Sequence, residues 1–382
     1  MSKHIVTLLL FKHNCWYGNV KMIRRRATRS VRVIRGMRSV LAGELIFAGS
    51  LLAAAPQPAA APCGLLRSAT LQQSAHEALD KKEYAAAARA FQGVYEACPT
   101  LHAALLDASR SSAQARDYPE AIRAARQFVD LEKGSVEGKL ALANAYFMAQ
   151  RLPDALEYAE SVLKTEADQP AALKLKGNIE YLLGKTDDAV NVFIFLLDHY
   201  PQDADGAYML GRIYYQEGRI DYAMGQFQRV LKIDPKSYKA YDNLGLCYQA
   251  SGDAGLAIRN FLTAIKLVEK DHPDYDWAYA NLASLLIDEG DAEKAYDAAA
   301  KAANRNPNSA RNLYLGGKAL WKLGKTDLCL NWLQRAAALD PKYPEPFYLL
   351  ARVYSQLGQE DHAKAALDKF RALKAGAPRQ RK

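Results

Sequence analysis

The residues best able to do chemistry are scattered along this chain of 382 residues, without the spacing of a catalytic or metal site. The seven histidines are His4, His13, His76, His102, His199, His272 and His362. None belongs to a His-Glu-x-x-His motif or to a pair with metal-ligand spacing. The sequence also lacks a Gly-x-Ser-x-Gly elbow, a phosphate-binding loop and a dinucleotide fingerprint. We therefore expect no enzyme activity, no cofactor and no metal.

The five cysteines contain no Cys-x-x-Cys motif. Cys247 and Cys329 stand at apolar helix positions, where a thiol behaves as a small apolar group, so both are predicted to be buried. Cys63 and Cys98 could form a disulfide if the protein is exported, because disulfides persist in oxidising compartments. Such a bond would hold the segment before the first predicted helix against the segment that contains Cys98.

Basic residues are concentrated at the two ends of the chain. The net charge is +9, yet residues 1–61 hold ten Lys or Arg against one acid, Glu44. Residues 368–382 carry six basic residues against one acid, and the body between, 62–367, has 35 basic against 40 acidic residues. A basic groove for a phosphate backbone is not expected from this distribution, so we predict no nucleic-acid partner.

The N-terminal segment, 1–61, has the layout of a secretory signal peptide. An Arg-rich stretch at 24–38 precedes an apolar run at 40–55, and a segment of small residues and prolines follows at 53–62. Cations remain on the cytosolic side, the apolar run enters the translocon, and small residues fit the peptidase. Cleavage is expected after Ala55 or Ala61, giving an exported periplasmic or secreted protein with no stable transmembrane span.

Other interpretations of this leader stay open. The apolar run is interrupted by Glu44 and is short for a membrane-spanning helix of about 20 residues. The true start could be Met22 or Met37, and Met37 gives a compact signal peptide. An uncleaved leader would tether the protein to a membrane. In a eukaryote, the Arg-rich and acid-poor composition would fit an organellar presequence.

The chain repeats with a regular period that its prolines mark. The prolines at 201 and 235 are separated by the same number of residues as those at 273 and 307 and those at 307 and 341. The prolines at 99 and 201 are three such periods apart. Only the step from Pro235 to Pro273 is longer than the period, by four positions. We therefore predict a four-residue insertion near 269–273.

Within each period the residues resemble the tetratricopeptide repeat (TPR) family, whose unit is a helix-turn-helix of about 34 residues. The unit at 238–275 carries the pattern most fully, through Tyr241, Leu244, Gly245, Tyr248, Gly252, Ala257 and Phe261. Units at 68–101 and 102–135 keep the least of it. The resemblance implies an all-α, right-handed solenoid of about nine units at 68–374. Before it lie the leader (1–61) and a linker (62–67), and after it a basic disordered tail (375–382).

In this family the first helices of successive units line a concave groove, and the resemblance implies which residues face it. Their aromatic and cationic composition suits a peptide or protein partner. The residues are Lys174, Asn178, Tyr208, Arg212, Tyr215, Lys239, Asn243, Trp277, Asn281, Arg311, Tyr314, Lys318, Trp321, Lys322, Tyr348 and Arg352. Asp242 is expected to face the groove as well, and the amides of Asn243 and Asn281 to bond the backbone of an extended peptide.

Some TPR adaptors hold a carboxylate with five polar residues from three units. Lys174, Asn178 and Lys239 match three of these, but Met209 and Asn243 replace an Asn and an Arg, so such a clamp is not expected here.

The leading functional hypothesis is a noncatalytic, exported interaction scaffold that assists assembly of an envelope or secretion complex, an inference by analogy with the family. One alternative is an accessory subunit of polysaccharide synthesis or export. Another is an intracellular or organellar adaptor resembling a co-chaperone. The sequence does not identify the partner or the oligomeric state.

Overall fold

A computed structural model describes residues 63–375, and these form eighteen α-helices joined by short turns. The helices are α1 (Leu65–Asp80), α2 (Tyr84–Ala97), α3 (Ala103–Gln114), α4 (Tyr118–Leu131), α5 (Val136–Met148), α6 (Leu152–Leu163), α7 (Pro170–Leu182), α8 (Thr186–His199), α9 (Ala204–Gln216), α10 (Ile220–Ile233), α11 (Tyr238–Ala250), α12 (Ala254–Val268), α13 (Trp277–Asp288), α14 (Ala292–Arg305), α15 (Ala310–Lys322), α16 (Thr326–Leu339), α17 (Pro344–Gln356) and α18 (Glu360–Ala375). The predicted leader at 1–61, and all but Ala375 of the predicted tail, lie outside the described residues.

The helices pair into nine units, each with an odd-numbered first helix and an even-numbered second helix. Every helix packs against the next one along the chain. From α3 onward each first helix also contacts the first helix of the following unit, whereas no two successive second helices in the described part are as close. The first helices therefore lie on the inner, concave side of the stack. The prediction of an all-α solenoid with nine units is confirmed.

The first helix begins earlier than predicted. Helix α1 starts at Leu65, inside the stretch 62–67 that was predicted to be a linker, so that boundary is wrong. A disulfide joins Cys63 to Cys98. The N–H of Gly64 also donates to the carbonyl of Ala97, at 2.8 Å. These two links fix the chain against the end of α2, so the helix can start immediately after them. At the other end, α18 includes Ala375, one residue into the predicted tail.

The turn between the two helices of a unit needs a residue with positive φ. In the last six units a glycine fills this place, at Gly184, Gly218, Gly252, Gly290, Gly324 and Gly358. In the first three units Lys82, Arg116 and Gln150 take it instead, with φ of 60°, 64° and 61°. A side chain in this region is disfavoured relative to glycine. The geometry is thus kept where the sequence pattern is lost.

In units four, five and six a phenylalanine of the second helix packs on a glycine of the first helix. Phe193, Phe227 and Phe261 are fully buried. Phe261 lies so close to Gly245 that an added β-carbon there would come within 2.5 Å of its ring. The buried thiols of Cys247 and Cys329 complete the core, as predicted.

Gly245→Ala is expected to lower the free energy of unfolding by about 1–3 kcal/mol, since the added methyl group overpacks the contact with Phe261. Gly225→Ala is the matched control, because Gly225 lies in helix α10 and its β-carbon position is open. That change should raise stability by up to about 1 kcal/mol through helix propensity. Urea unfolding followed by circular dichroism measures both, and a Gly245→Ala variant as stable as Gly225→Ala would contradict the packing.

Candidate protein-binding groove

All sixteen residues predicted to line the groove lie on the first helices α7, α9, α11, α13, α15 and α17. Fourteen of them are half-buried or exposed. Arg212 and Asn281 are the exceptions, with only 6% and 3% of their surface exposed. The structure therefore assembles most of the set on the concave side, and the two buried members are not free to meet a partner.

At the N-terminal end of the predicted groove, the cation Lys174 is neutralised by two carboxylates. Lys174 Nζ lies 3.0 Å from a carboxylate oxygen of Asp203 and 3.3 Å from one of Asp205. Burial of Lys174 lowers its pKa, but its bonds to the two carboxylates outweigh burial and raise the pKa overall. Asn178 lies one turn further along α7, and its side-chain oxygen is enclosed without a hydrogen-bond partner among the described residues. This end of the groove presents little unpaired charge.

The amide of Asn243 is engaged within the protein. Its Nδ2 donates to the backbone carbonyl of Lys239 at 2.8 Å and to the hydroxyl of Tyr208 at 3.2 Å. Both hydrogens of this amide are used in these bonds, so a peptide backbone could bond only to the side-chain oxygen, and the predicted contact with a peptide stays a prediction.

A buried polar relay connects three successive units. Asn281 Nδ2 donates to Asp242 Oδ1 at 2.9 Å, and Asn281 Oδ1 accepts from Arg311 Nη2 at 2.9 Å. Asp242 is only 3% exposed. The predictions that Asp242 faces the groove and that Asn281 bonds a partner are therefore wrong, because each side chain is used inside the stack. The relay joins α11, α13 and α15.

The predicted insertion supplies the second part of this network. The chain between α12 and α13 runs through 269–276 and brings Tyr275 and Asp276 into the interior. The hydroxyl of Tyr275 donates to Asp242 Oδ2 at 2.7 Å. Asp276 Oδ2 accepts from Asn312 at 2.6 Å and from Asn306 at 3.2 Å. The loop that carries the insertion thus has a structural role, because Tyr275 and Asp276 at its end complete the contact between units six, seven and eight.

One signal in the sequence could have revealed this contact. Asn312 is 1% exposed and stands at the third position of its unit. The six other units from the third onward hold a small residue or proline there, at Gly138, Ala172, Gly206, Ala240, Ala278 and Pro346. A large amide at a buried, small-residue position needs polar partners. Here Asp276, at the end of the loop, and the backbone carbonyl of Ala302 provide them.

Burial sets the electrostatics of the relay. Desolvation raises the pKa of Asp242 to about 6, although the hydrogen bonds from Tyr275 and Asn281 act in the opposite direction. Desolvation likewise lowers the pKa of Arg311, while nearby Tyr343, Asp242 and Asp276 partly restore it. Arg311 therefore lies beside two carboxyl groups.

The last three units carry two arginines seated over tryptophan rings. Arg311 Cζ is 5.5 Å from the centre of the Trp277 ring, and Arg352 Cζ is 4.3 Å from that of Trp321. Such contacts fix the cation by attraction to the face of the ring. Exposure increases along the groove, because Lys322, Tyr348 and Arg352 are all exposed. Among the predicted groove residues, the most accessible aromatic and cationic side chains are therefore on α15 and α17.

Within residues 63–375 no three His, Cys, Asp or Glu side chains lie close enough together to bind a metal ion. None of the helices in this range combines the length and the apolar character that crossing a membrane requires.

Comparison with known proteins identifies the repeat. Four models of the tetratricopeptide repeat match the chain at residues 112–179, 174–238, 238–271 with 278–309, and 317–358. No curated protein matches the sequence.

Among solved structures, a tetratricopeptide repeat protein from Parabacteroides merdae is similar, with a TM-score of 0.52, 18% identity and coverage of 70% of this chain and 98% of that one. The Cut9–Hcn1 hetero-tetramer of the APC/C is also similar, with a TM-score of 0.56, 17% identity and coverage of 80% and 57%. At these identities the likeness concerns the fold alone. From the repeat models and the nine helix pairs together, the chain belongs to the tetratricopeptide repeat family.

Proposed function

We propose that the protein is a noncatalytic scaffold that binds a peptide or protein segment along the C-terminal part of its concave face. The observation that carries this is the accessible set of aromatic and cationic side chains on α15 and α17. Lys322, Tyr348 and Arg352 are exposed, and Trp321 is half-buried beneath Arg352. Stacking of the repeat units does not require aromatic or cationic side chains at these exposed positions.

The chemistry of these groups suits a protein partner. Proteins of this repeat family bind proteins or peptides, and the fold provides a rigid surface for doing so. Tryptophan, tyrosine and arginine are enriched among the residues that contribute most of the binding energy at protein interfaces. The two aromatic residues bury large areas at a small cost in conformational entropy, and the guanidinium group offers several directed donors. A row of such groups on adjacent helices offers several anchoring points to one extended segment.

We further propose that the scaffold works in an oxidising compartment outside the cytosol, in envelope or secretion-complex assembly. Two features support this. Cys63 and Cys98 form a disulfide, whereas a typical cytosol would keep the two thiols reduced. The leader at 1–61 also has the composition of an export signal.

A crosslinking pull-down with matched surface variants tests the binding proposal. The full chain serves as bait in native envelope extract, beside the double variant Trp321→Ala/Tyr348→Ala. The control is Tyr222→Ala, since Tyr222 is 59% exposed but lies on the second helix α10. We expect a protein that the wild type and the control enrich and that the double variant loses at least tenfold. Equal recovery by all three baits would contradict binding at the concave face.

A further inference from the structure

Three cations lie on two neighbouring first helices at the C-terminal end of the concave face. Lys318 and Lys322 are four residues apart on α15, so they share one side of the helix, and Arg352 stands on the adjacent helix α17. We call these three residues the basic cluster. Like charges at this spacing on a helix repel each other. The arrangement is therefore unfavourable in the free protein and becomes favourable when an anion lies between the charges.

The acids that the described residues offer neutralise the basic cluster only in part. Lys318 Nζ lies 3.7 Å from Asp288 Oδ1, and that aspartate side chain is 58% exposed. Between residues 63 and 375 neither Lys322 nor Arg352 forms an ion pair. Elsewhere in the groove Lys174 has two carboxylate partners and Arg311 lies beside buried carboxyl groups. The excess positive charge is thus local, in a body with more acidic than basic residues.

The geometry of Arg352 leaves its donors available. Its guanidinium carbon is 4.3 Å from the centre of the Trp321 ring and 6.0 Å from that of Tyr348. The indole ring supports the guanidinium, and contact through the face leaves the N–H edge free. That edge presents paired donors that match the two oxygens of a carboxylate.

We propose that the basic cluster binds the side-chain carboxylates of an acidic peptide segment in the partner. This inference rests on the proposed function and adds the chemical class of the ligand. A nucleic acid is a poorer fit, because its binding typically draws on about 6–10 phosphate contacts. The cluster offers three cations in a body of net negative charge.

The spacing of the cluster limits the length of the motif. Arg352 follows Lys318 by one repeat period, so the two occupy equivalent positions on neighbouring first helices. Packed helices have axes roughly 8–10 Å apart. An extended peptide advances about 3.3 Å per residue, so roughly three residues cover that distance. The recognised segment is therefore expected to hold at least two acidic residues within a stretch of about four.

A direct binding measurement tests this proposal. The probe is a fluorescein-labelled ten-residue peptide with a central Asp-Glu-Asp-Glu sequence, and its partner probe has Asn and Gln at those four places. Fluorescence polarisation with the full chain at low salt should detect the acidic probe and not the amide probe. The variant Arg352→Gln/Lys322→Gln should weaken binding of the acidic probe at least tenfold. Raising the salt concentration should weaken it for the wild type.

A charge-matched control separates this site from general attraction. Lys294→Gln/Lys301→Gln removes two exposed lysines from the second helix α14 and should leave binding unchanged. Equal losses in both double variants, or equal binding of the two probes, would overturn the proposal. Preference for an acidic oligosaccharide over the acidic peptide would overturn it too. If the partner from the pull-down is retained by Arg352→Gln/Lys322→Gln and lost by Trp321→Ala/Tyr348→Ala, the groove function stands and the acidic ligand does not.

Discussion

Asp242→Ala is expected to lower the free energy of unfolding by about 3 kcal/mol. The substitution leaves the hydroxyl of Tyr275 and the amide donor of Asn281 buried without their acceptor. It also removes a carboxyl group from the surroundings of the half-buried Arg311. Since the relay crosses three units, hydrogen exchange should show α11, α13 and α15 losing protection together. Urea unfolding measures the free energy, and a loss below about 1 kcal/mol would contradict the structural role of the relay.

Asp242→Asn gives the matched control and a pH test. Burial raises the folded-state pKa of Asp242 to about 6, from an ordinary value of 3.8. The folded protein therefore binds this proton more tightly than the unfolded chain. The corresponding stability is full below about pH 4 and is lost as the pH rises through 6, amounting to roughly 2–3 kcal/mol.

The asparagine variant carries no such proton, so its stability relative to wild type should increase between pH 4.5 and 7.5. Urea unfolding of the two proteins at both pH values measures this difference. A stability gap that does not change with pH would contradict burial of an ionisable Asp242.

Removal of the disulfide with Cys63→Ser should destabilise the first unit by about 3–4 kcal/mol, the range expected for closing a loop with a sequence separation of 35. Because each unit of a solenoid contacts only its neighbours, the loss should be local. Hydrogen exchange should rise in α1 and α2 and stay unchanged in α15 to α18.

Reductant supplies the control for this prediction. It should reproduce the effect in the wild type and have no effect on Cys63→Ser. Mass spectrometry of native material should show the two thiols joined, with a loss of two hydrogens. Free thiols at both positions in native material would contradict the bond and remove the main structural support for an oxidising compartment.

The number and type of helices could be predicted because the same packing constraint recurs at a fixed period in much of the chain. A small residue such as Gly245 facing Phe261 leaves a mark in the sequence each time it is repeated. The weak signal in the first three units has a physical cause. Lys82, Arg116 and Gln150 take up the positive φ that glycine would adopt more easily, so the turn persists without its marker.

The groove was less predictable than the fold. The positions of the repeat pattern located the first helices correctly. They cannot distinguish a polar side chain that faces solvent from one that bonds to a neighbouring loop or helix. Asp242 was misplaced for this reason, since Tyr275 of the longer loop bonds to it. Asn281 was misplaced because it bonds to Asp242 and Arg311 of the neighbouring first helices. The stacking of Arg352 on Trp321 depends on side-chain conformations in two adjacent units, which spacing in the sequence does not determine.

Site-specific photo-crosslinking in native cells shows whether a partner binds on the concave face. A benzophenone amino acid would replace Tyr348 on α17 in one protein and Tyr222 on α10 in another, both of them exposed aromatic positions. We expect a covalent adduct with a partner protein from position 348 and none from position 222. Adducts from position 222 alone would place the binding surface on the second helices and contradict a concave binding site.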